Sequence, residues 1–293
     1  MTLRRESFGE FSLIRRPAKG DRQVVVHFAH ATGFNAYTYA PLFEMLDPGI
    51  DLFAMDARGH GLSNARAVPS ELRSWQTFEA DLVSLLATLR RPVVLAGHSM
   101  GGTVSLAVAA HHPDDVASLV LVDPVMPPPW FGWTVVAARA VGLTPQVPIA
   151  RAASKRRMDF PSKETAVDNF VGKGAFRTWP REWIEAYVEG GTIPTDDGVR
   201  LSCAREWESR VFAMATARPF RHVRKLRCPT TLFARQGDGP PLPNASRDAF
   251  MRIRPETRLL NLADVSHFMT MERPELVRDE IHRAVDLARS KLG

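Results

Sequence analysis

Cysteine is nearly missing from these 293 residues: Cys203 and Cys228 are the only two. Two cysteines make neither a disulfide framework nor a zinc-ligand cluster, so a stapled scaffold and a structural zinc site are both excluded. No apolar run approaches the roughly 20 residues of a membrane-spanning helix. Met1-Thr2-Leu3-Arg4-Arg5-Glu6-Ser7 is polar and leads into no apolar h-region, so no signal peptide is expected and the cytoplasm is the expected compartment. The formal charge of +6 comes without any nucleic-acid reader motif, so no nucleic-acid partner is expected. The densest basic cluster, Arg151, Lys155, Arg156 and Arg157, reads as a solvated helix face.

What is present is a chain with an ordinary apolar share of 45%, enough for one large α/β domain or a core with an inserted subdomain. Val24-Val25-Val26-His27-Phe28-Ala29 and Asp51-Leu52-Phe53-Ala54-Met55-Asp56 read as buried strands. So do Pro92-Val93-Val94-Leu95-Ala96 and Leu119-Val120-Leu121-Val122. Phe78, Leu82, Leu85, Leu86 and Leu89 form one helix face between the second and third of these. Near-continuous apolar strands alternating with helices predict a parallel sheet covered on both faces. The rhythm breaks at Pro124, Pro127, Pro128 and Pro129. From there to about Ala217 the patterns are helical, over 133–141, 162–171, 180–189 and 206–217, with no good strand. Pro180 reads as a helix start and Gly190-Gly191 as its stop. This stretch, 125–217, is expected to be an inserted helical lid on a core of 1–124 and 218–293. It holds five of the six tryptophans: Trp130, Trp133, Trp179, Trp183 and Trp207. Strand patterns return at 230–234 and 258–262, and an amphipathic helix is expected from Pro274 to about Leu292.

Gly97-His98-Ser99-Met100-Gly101 lies between a strand and the Ala-rich helix former 102–110. Strand, glycine-flanked turn and helix make a nucleophile elbow of the G-x-S-x-G pattern. A serine on such a turn has a free hydroxyl, and the helix start supplies N–H groups to a developing oxyanion. Acyl-transfer chemistry then requires a base, an acid that orients it and an oxyanion hole. His267, on a loop after the last strand pattern, is the expected base. The other eight histidines lie in strands, in early turns, at helix ends or on expected surface positions; His222 and His282 are in the last group. Asp238 follows the 230–234 strand and keeps the chain order Ser, Asp, His, which makes it the preferred acid. Asp123, at the end of the strand behind the elbow helix, is the rival. Met100 and Thr32 are the expected oxyanion donors, with Ala31 and Gly33 allowing close backbone approach. The Asp56-Ala57-Arg58-Gly59-His60-Gly61-Leu62-Ser63 turn reads as structural.

Together these motifs resemble the α/β-hydrolase superfamily along most of the chain. The resemblance rests on His30-Ala31-Thr32-Gly33-Phe34, the 56–63 turn, the elbow, Gly237-Asp238, and Ser266-His267-Phe268 followed by Glu272-Arg273-Pro274. It implies an eight-stranded, mostly parallel sheet, a helical lid after the sixth strand and a Ser99–His267–Asp238 triad. Two departures stand out. Ala31 replaces the glycine usual after the first-loop histidine, and Gly239-Pro240-Pro241 follows Asp238. Members that open carbon–halogen bonds or epoxides use an aspartate nucleophile, and Ser99 argues against both.

The expected activity is therefore hydrolysis of a carboxylic ester through an acyl-enzyme on Ser99, with no metal and no cofactor. Phe34, Trp130 and Trp133 are candidates for the wall of a pocket that takes a small-to-medium apolar acyl or aromatic ester. The same residues would also serve an acyltransferase, a lactonase, a C–C bond hydrolase or a ligand receptor of hydrolase shape.

Overall fold

The computed structural model describes residues 2–19, 24–89, 91–140 and 148–290. An N-terminal hairpin, β1 (Arg4–Phe8) and β2 (Phe11–Arg16), precedes β3 (Val25–Ala29), α1 (Ala40–Glu44) and β4 (Asp51–Met55). Then come α2 (Gln76–Leu89), β5 (Val93–His98), α3 (Met100–His111) and β6 (Val116–Val122). The segment between β6 and the next core strand carries α4 (Pro129–Ala140), α5 (Pro148–Ala153), β7 (Asp159–Phe160), α6 (Lys163–Phe170), α7 (Arg181–Gly191), β8 (Thr192–Thr195), β9 (Gly198–Leu201) and α8 (Arg205–Ala213). The core resumes with α9 (Phe220–Val223), β10 (Thr230–Arg235), α10 (Asn244–Ile253), β11 (Arg258–Leu262), α11 (Met269–Glu272) and α12 (Pro274–Arg289). No helix among the described residues is long and apolar enough to cross a membrane.

Eight strands form one sheet in the order β1-β2-β4-β3-β5-β6-β10-β11. The pairs β1–β2 and β2–β4 are antiparallel and all the others are parallel. This is the eight-stranded, mostly parallel α/β sheet that the resemblance implied. Strand alternation divides the core between the two faces. Val26, Phe28, Val94, Ala96, Val120 and Val122 point to the face covered by α1 and α12. Val25, Val93, Leu95, Leu119 and Leu121 point to the face covered by α2 and α3. Fully burying a side chain of this size contributes about 1.5–3 kcal/mol, so the two layers, rather than strand pairing alone, fix the sheet. The α2 stripe is as expected, with Phe78, Leu82, Leu85 and Leu86 buried.

The segment from 125 to 217 is less purely helical than its sequence suggested. Strands β7, β9 and β8 form a small antiparallel sheet of their own. They are short, and β8 carries Pro194 and three exposed residues, so no alternation reveals it. The signal that was present is the two-residue turn Asp196-Asp197 before Gly198, between two four-residue strands. Helix α7 ends at Gly191, but its glycines serve a contact as well as a stop. A Cβ at Gly190 would strike Asn35 and Tyr37, and one at Gly191 would strike Asn35. The Asn35 amide donates to the Tyr187 carbonyl at 3.0 Å, so this seam joins the segment to the chain after β3. The basic cluster is not uniformly solvated. Arg156 turns inward to Glu208 (3.1 Å) and to the Tyr187 hydroxyl (3.2 Å). The helix ends expected at Val141 and Leu292 lie outside the described residues.

Candidate active site

Ser99 stands between β5 and α3 with φ 55° and ψ −117°, a backbone conformation that side-chain-bearing residues rarely adopt. The glycines around it make the bend possible. A Cβ at Gly97 would meet the backbone of Gly101 and Gly102, and one at Gly101 would meet the carbonyls of Ala29 and His30. The first turn of α3 thus lies directly against the end of β3. The Ser99 amide donates to the Val122 carbonyl at 3.0 Å, which ties the bend to β6. Ser99, Met100 and Thr32 are all buried at the carboxyl ends of the parallel strands, where open α/β sheets bind ligands.

The histidine before the serine has a larger part than its place in the motif suggested. His98 Nε2 lies 2.9 Å from the carbonyl of His267. A carbonyl only accepts, so Nε2 carries the proton and Nδ1 accepts from the Tyr39 hydroxyl at 2.8 Å. The same hydroxyl accepts from the Ala31 amide at 3.2 Å. Burial holds His98 well below the usual histidine range, with the neighbouring His267 adding to the effect, which fits a neutral ring in this chain of bonds. One run of hydrogen bonds therefore joins the loop after β3, the serine turn and the histidine loop.

His267 Nδ1 donates to Asp123 Oδ2 at 2.8 Å. Asp123 is fully buried at the end of β6, has φ 42°, and donates its own amide to the Phe233 carbonyl at 3.1 Å. The chain is clamped immediately beyond it: the Thr103 hydroxyl donates to the Val125 carbonyl (3.1 Å), and the Met126 amide to the Pro241 carbonyl (3.0 Å).

Asp238, the preferred acid, is not brought to His267 in this geometry. Its side chain is exposed and accepts from the amides of Gly239 (3.0 Å) and Asn244 (3.1 Å), fastening its loop to the start of α10. The carboxyl end of β10 carries Arg235 instead, with Nε 3.7 Å from Asp123 Oδ2. Asp123, on the strand next to that of Ser99, is the carboxylate brought to His267. The 56–63 turn is braced by Asp56. Asp56 accepts from the amides of Ala36 (2.7 Å) and Leu62 (3.0 Å) and pairs with Arg5 at 2.7 Å.

Phe34, a candidate for the pocket wall, lies near His98 and Phe268. Its ring is 6.4 Å from His98 and 6.1 Å from Phe268, which is itself 5.2 Å from His267. Trp130 and Trp133 do not join it. They are 65% and 60% exposed, and Arg218 covers the Trp133 ring at 3.8 Å. The aromatic wall is completed by Trp179 (5.1 Å from Phe34), Tyr187 (5.9 Å) and Phe176 (6.4 Å). Trp179 is buried, and its indole N–H has no hydrogen-bond partner. Sequence reasoning passed over it although it stands just before Pro180 at the start of α7. Glu208 is a second unforeseen neighbour. Its carboxyl fills the space where Gly33 would carry a Cβ, and burial raises it above the usual carboxylate range against the opposing pull of Arg156. His222 is buried rather than on the surface, packed on His111 at 4.9 Å.

A hydroxyl on a strained turn, an imidazole and a buried carboxylate are the parts that acyl transfer requires. The sequence matches the alpha/beta hydrolase family over residues 25–280, a range that includes Ser99, Asp123 and His267. It is 26% identical over 292 residues to the 2-(acetamidomethylene)succinate hydrolase of Mesorhizobium japonicum, covering 97% of this chain and 95% of that one. It is 34% identical over 115 residues to the monoglyceride lipase of Mus musculus, a match spanning 36% of this chain and little more than a third, 37%, of the lipase. Among solved structures, E-2-(acetamidomethylene)succinate hydrolase superposes with a TM-score of 0.74 at 21% identity, covering 97% of this chain and 99% of that one. An esterase from Mycobacterium tuberculosis superposes with a TM-score of 0.70 at 22% identity, covering 97% and 91%. Sheet order, the serine turn and a family match across most of its length lead to one assignment: the chain belongs to the alpha/beta hydrolase family.

Proposed function

We propose that the protein is a serine hydrolase that cleaves a carboxylic ester through an acyl-enzyme on Ser99. The observation that carries this reading is the 2.8 Å bond from His267 Nδ1 to buried Asp123. With the Nδ1 proton committed to the carboxylate, Nε2 is left as the proton acceptor. His267 Nε2 takes the Ser99 proton as Oγ attacks the ester carbonyl. The amides of Met100 and Thr32 receive the oxyanion. The imidazolium returns its proton to the leaving alcohol, and a water activated by the same ring releases the acid. Asp123, rather than Asp238, orients His267 and stabilises its cation.

In this reading residues 125–217 form a lid on a core of 1–124 and 218–293. Phe34, Trp179 and Phe268 form the wall against which an apolar acyl or aromatic group rests. The protein has a small-molecule substrate and needs no cofactor. Kinship with lipases and an esterase supports ester chemistry.

A second reading is favoured by the extent of one match. One relative that covers nearly the whole chain is named for hydrolysis of 2-(acetamidomethylene)succinate, whereas the monoglyceride lipase match covers about a third and a diacylglycerol lipase match 87%. A small substituted dicarboxylate is the corresponding substrate class. One panel tests both readings: p-nitrophenyl esters of increasing chain length, lactones and 2-(acetamidomethylene)succinate, each with wild type and Ser99→Ala. Ester turnover abolished in Ser99→Ala supports the first reading; ester turnover that survives the substitution sinks it. Turnover of the succinate alone selects the second.

A further inference from the structure

Two buried polar atoms beside the Asp123–His267 pair are left unmatched. Asp123 Oδ1 has no hydrogen-bond partner, and neither does Arg235 Nε. They belong to groups of opposite charge in close approach, since Arg235 Nε is 3.7 Å from Asp123 Oδ2, the oxygen that already accepts from His267. The arginine is not free to swing away. Its Nη2 donates to the Pro240 carbonyl at 2.6 Å, and only about a fifth of its side chain is exposed (19%). It occupies the last position of β10, adjacent in the sheet to β6, whose end delivers Asp123.

Building on the proposed hydrolase mechanism, we propose that Arg235 is a positioning residue: its guanidinium holds Asp123 in place for His267 and sets the acidity at which His267 stops being a free base. The electrostatics fix the direction. A proton arriving on His267 creates a cation on one side of a carboxylate that already faces a cation on the other. The guanidinium therefore opposes imidazolium formation and keeps His267 neutral to lower pH. Removing it leaves the carboxylate to His267 alone, and the ring takes up its proton more readily. Other groups face the pair without reversing this sign. His98, from β5, lies 4.7 Å from the His267 ring and is neutral. Glu272, from α11, is engaged by the amide and hydroxyl of Ser266 and by the Thr178 hydroxyl. Asp264, on the loop that carries His267, is exposed. All three are unchanged by a substitution at 235, so they cancel in a comparison of variants.

The test is the NMR titration of the His267 imidazole, assigned with His267→Gln, in wild type, Arg235→Gln and Arg235→Lys. The pH profile of p-nitrophenyl acetate hydrolysis is measured on the same samples. Arg235→Gln is expected to titrate at higher pH, so that at the wild-type midpoint its neutral fraction is about fivefold lower. Arg235→Lys, which keeps the charge, is expected to return most of the way to wild type. Arg235→Met drops the charge and keeps the stem, and gives the same comparison where Arg235→Gln does not fold. Coincident titration curves in wild type and a folded, uncharged variant would overturn the proposal. Because the titration needs no turnover, it stands apart from the hydrolase reading: ester hydrolysis surviving in Ser99→Ala would refute that reading and leave the curves to judge Arg235.

Discussion

Tyr39 donates its hydroxyl proton to Nδ1 of His98 across 2.8 Å, and the other ring nitrogen holds the backbone of His267. The residue before the serine thus fixes the loop that presents the histidine. Tyr39 is fully buried, and burial pushes its hydroxyl well above the usual tyrosine range, so it stays a donor throughout the working pH range.

Replacing Tyr39 with Phe keeps the ring and deletes the hydroxyl. It strands the Ala31 amide and His98 Nδ1, at about 1–3 kcal/mol for each buried group left unpaired. A lower melting temperature and a roughly tenfold fall in kcat are expected, the second because the histidine loop loses its register. An unchanged kcat in a destabilised Tyr39→Phe protein would show that this hydrogen-bond run supports the fold alone.

The two candidate acids separate cleanly in a paired experiment. Asp123→Asn is expected to lower kcat by about 10³–10⁴-fold, since the amide presents the wrong partner to His267 Nδ1–H. Asp238→Asn drops a surface charge but keeps the oxygen that accepts from Gly239 and Asn244, and is expected to stay within about threefold of wild type. Equal losses in the two variants would contradict the assignment of Asp123.

Where the sequence was legible, physics at short range decided the outcome. Five strands announced themselves because each is buried on both faces, β11 by its leucines although it is a partly exposed edge strand, and the serine turn because its glycines are demanded by backbone contacts. The β1–β2 hairpin was less visible, being a charged sheet edge with Arg4, Arg5, Glu6, Arg15 and Arg16. The carboxylate that contacts His267 was not legible for a different reason. Chain order and a Gly-Asp pair favoured Asp238, but adjacency across strands decides which carboxylate reaches a histidine, and adjacency is a property of the sheet. The same holds for Trp179. Nothing in its local pattern distinguishes it from Trp133, and only the docking of α7 on Asn35 brings it to Phe34.

Stability should fall on mild acidification. His27 and His60 are fully buried and pushed down to about 3, chiefly by burial, with His30 adding to it in both. An unfolded histidine takes its proton near 6.5. Between the two values the unfolded chain binds the proton and the folded chain does not. Stability is therefore full above about 6.5 and is lost as pH falls toward 3, by roughly 2 kcal/mol per histidine at pH 5. Urea midpoints at pH 7 and pH 5 measure this directly; identical midpoints would refute it.

The aromatic wall predicts a contrast between two tryptophans. Trp179→Ala removes a buried ring that touches Phe34 and Phe268. It is expected to raise KM for bulky apolar or aromatic esters by about tenfold, with kcat changed less. Trp133→Ala removes an exposed ring covered by Arg218, and KM is expected to be unchanged. A larger KM effect from Trp133 would mean that substrates rest on the outer surface of α4.

In the proposed reading the chain leaves the core for its inserted segment just after Pro124, the residue that follows the carboxylate bonded to His267. Such an arrangement would transmit a swing of that segment to the Asp123–His267 pair, were it not for the bonds from Thr103 to Val125 and from Met126 to Pro241. These act as a mooring. If the proposed mechanism holds, a segment moored at Val125 and Met126 could be remodelled beyond residue 126 for new substrates without shifting Asp123.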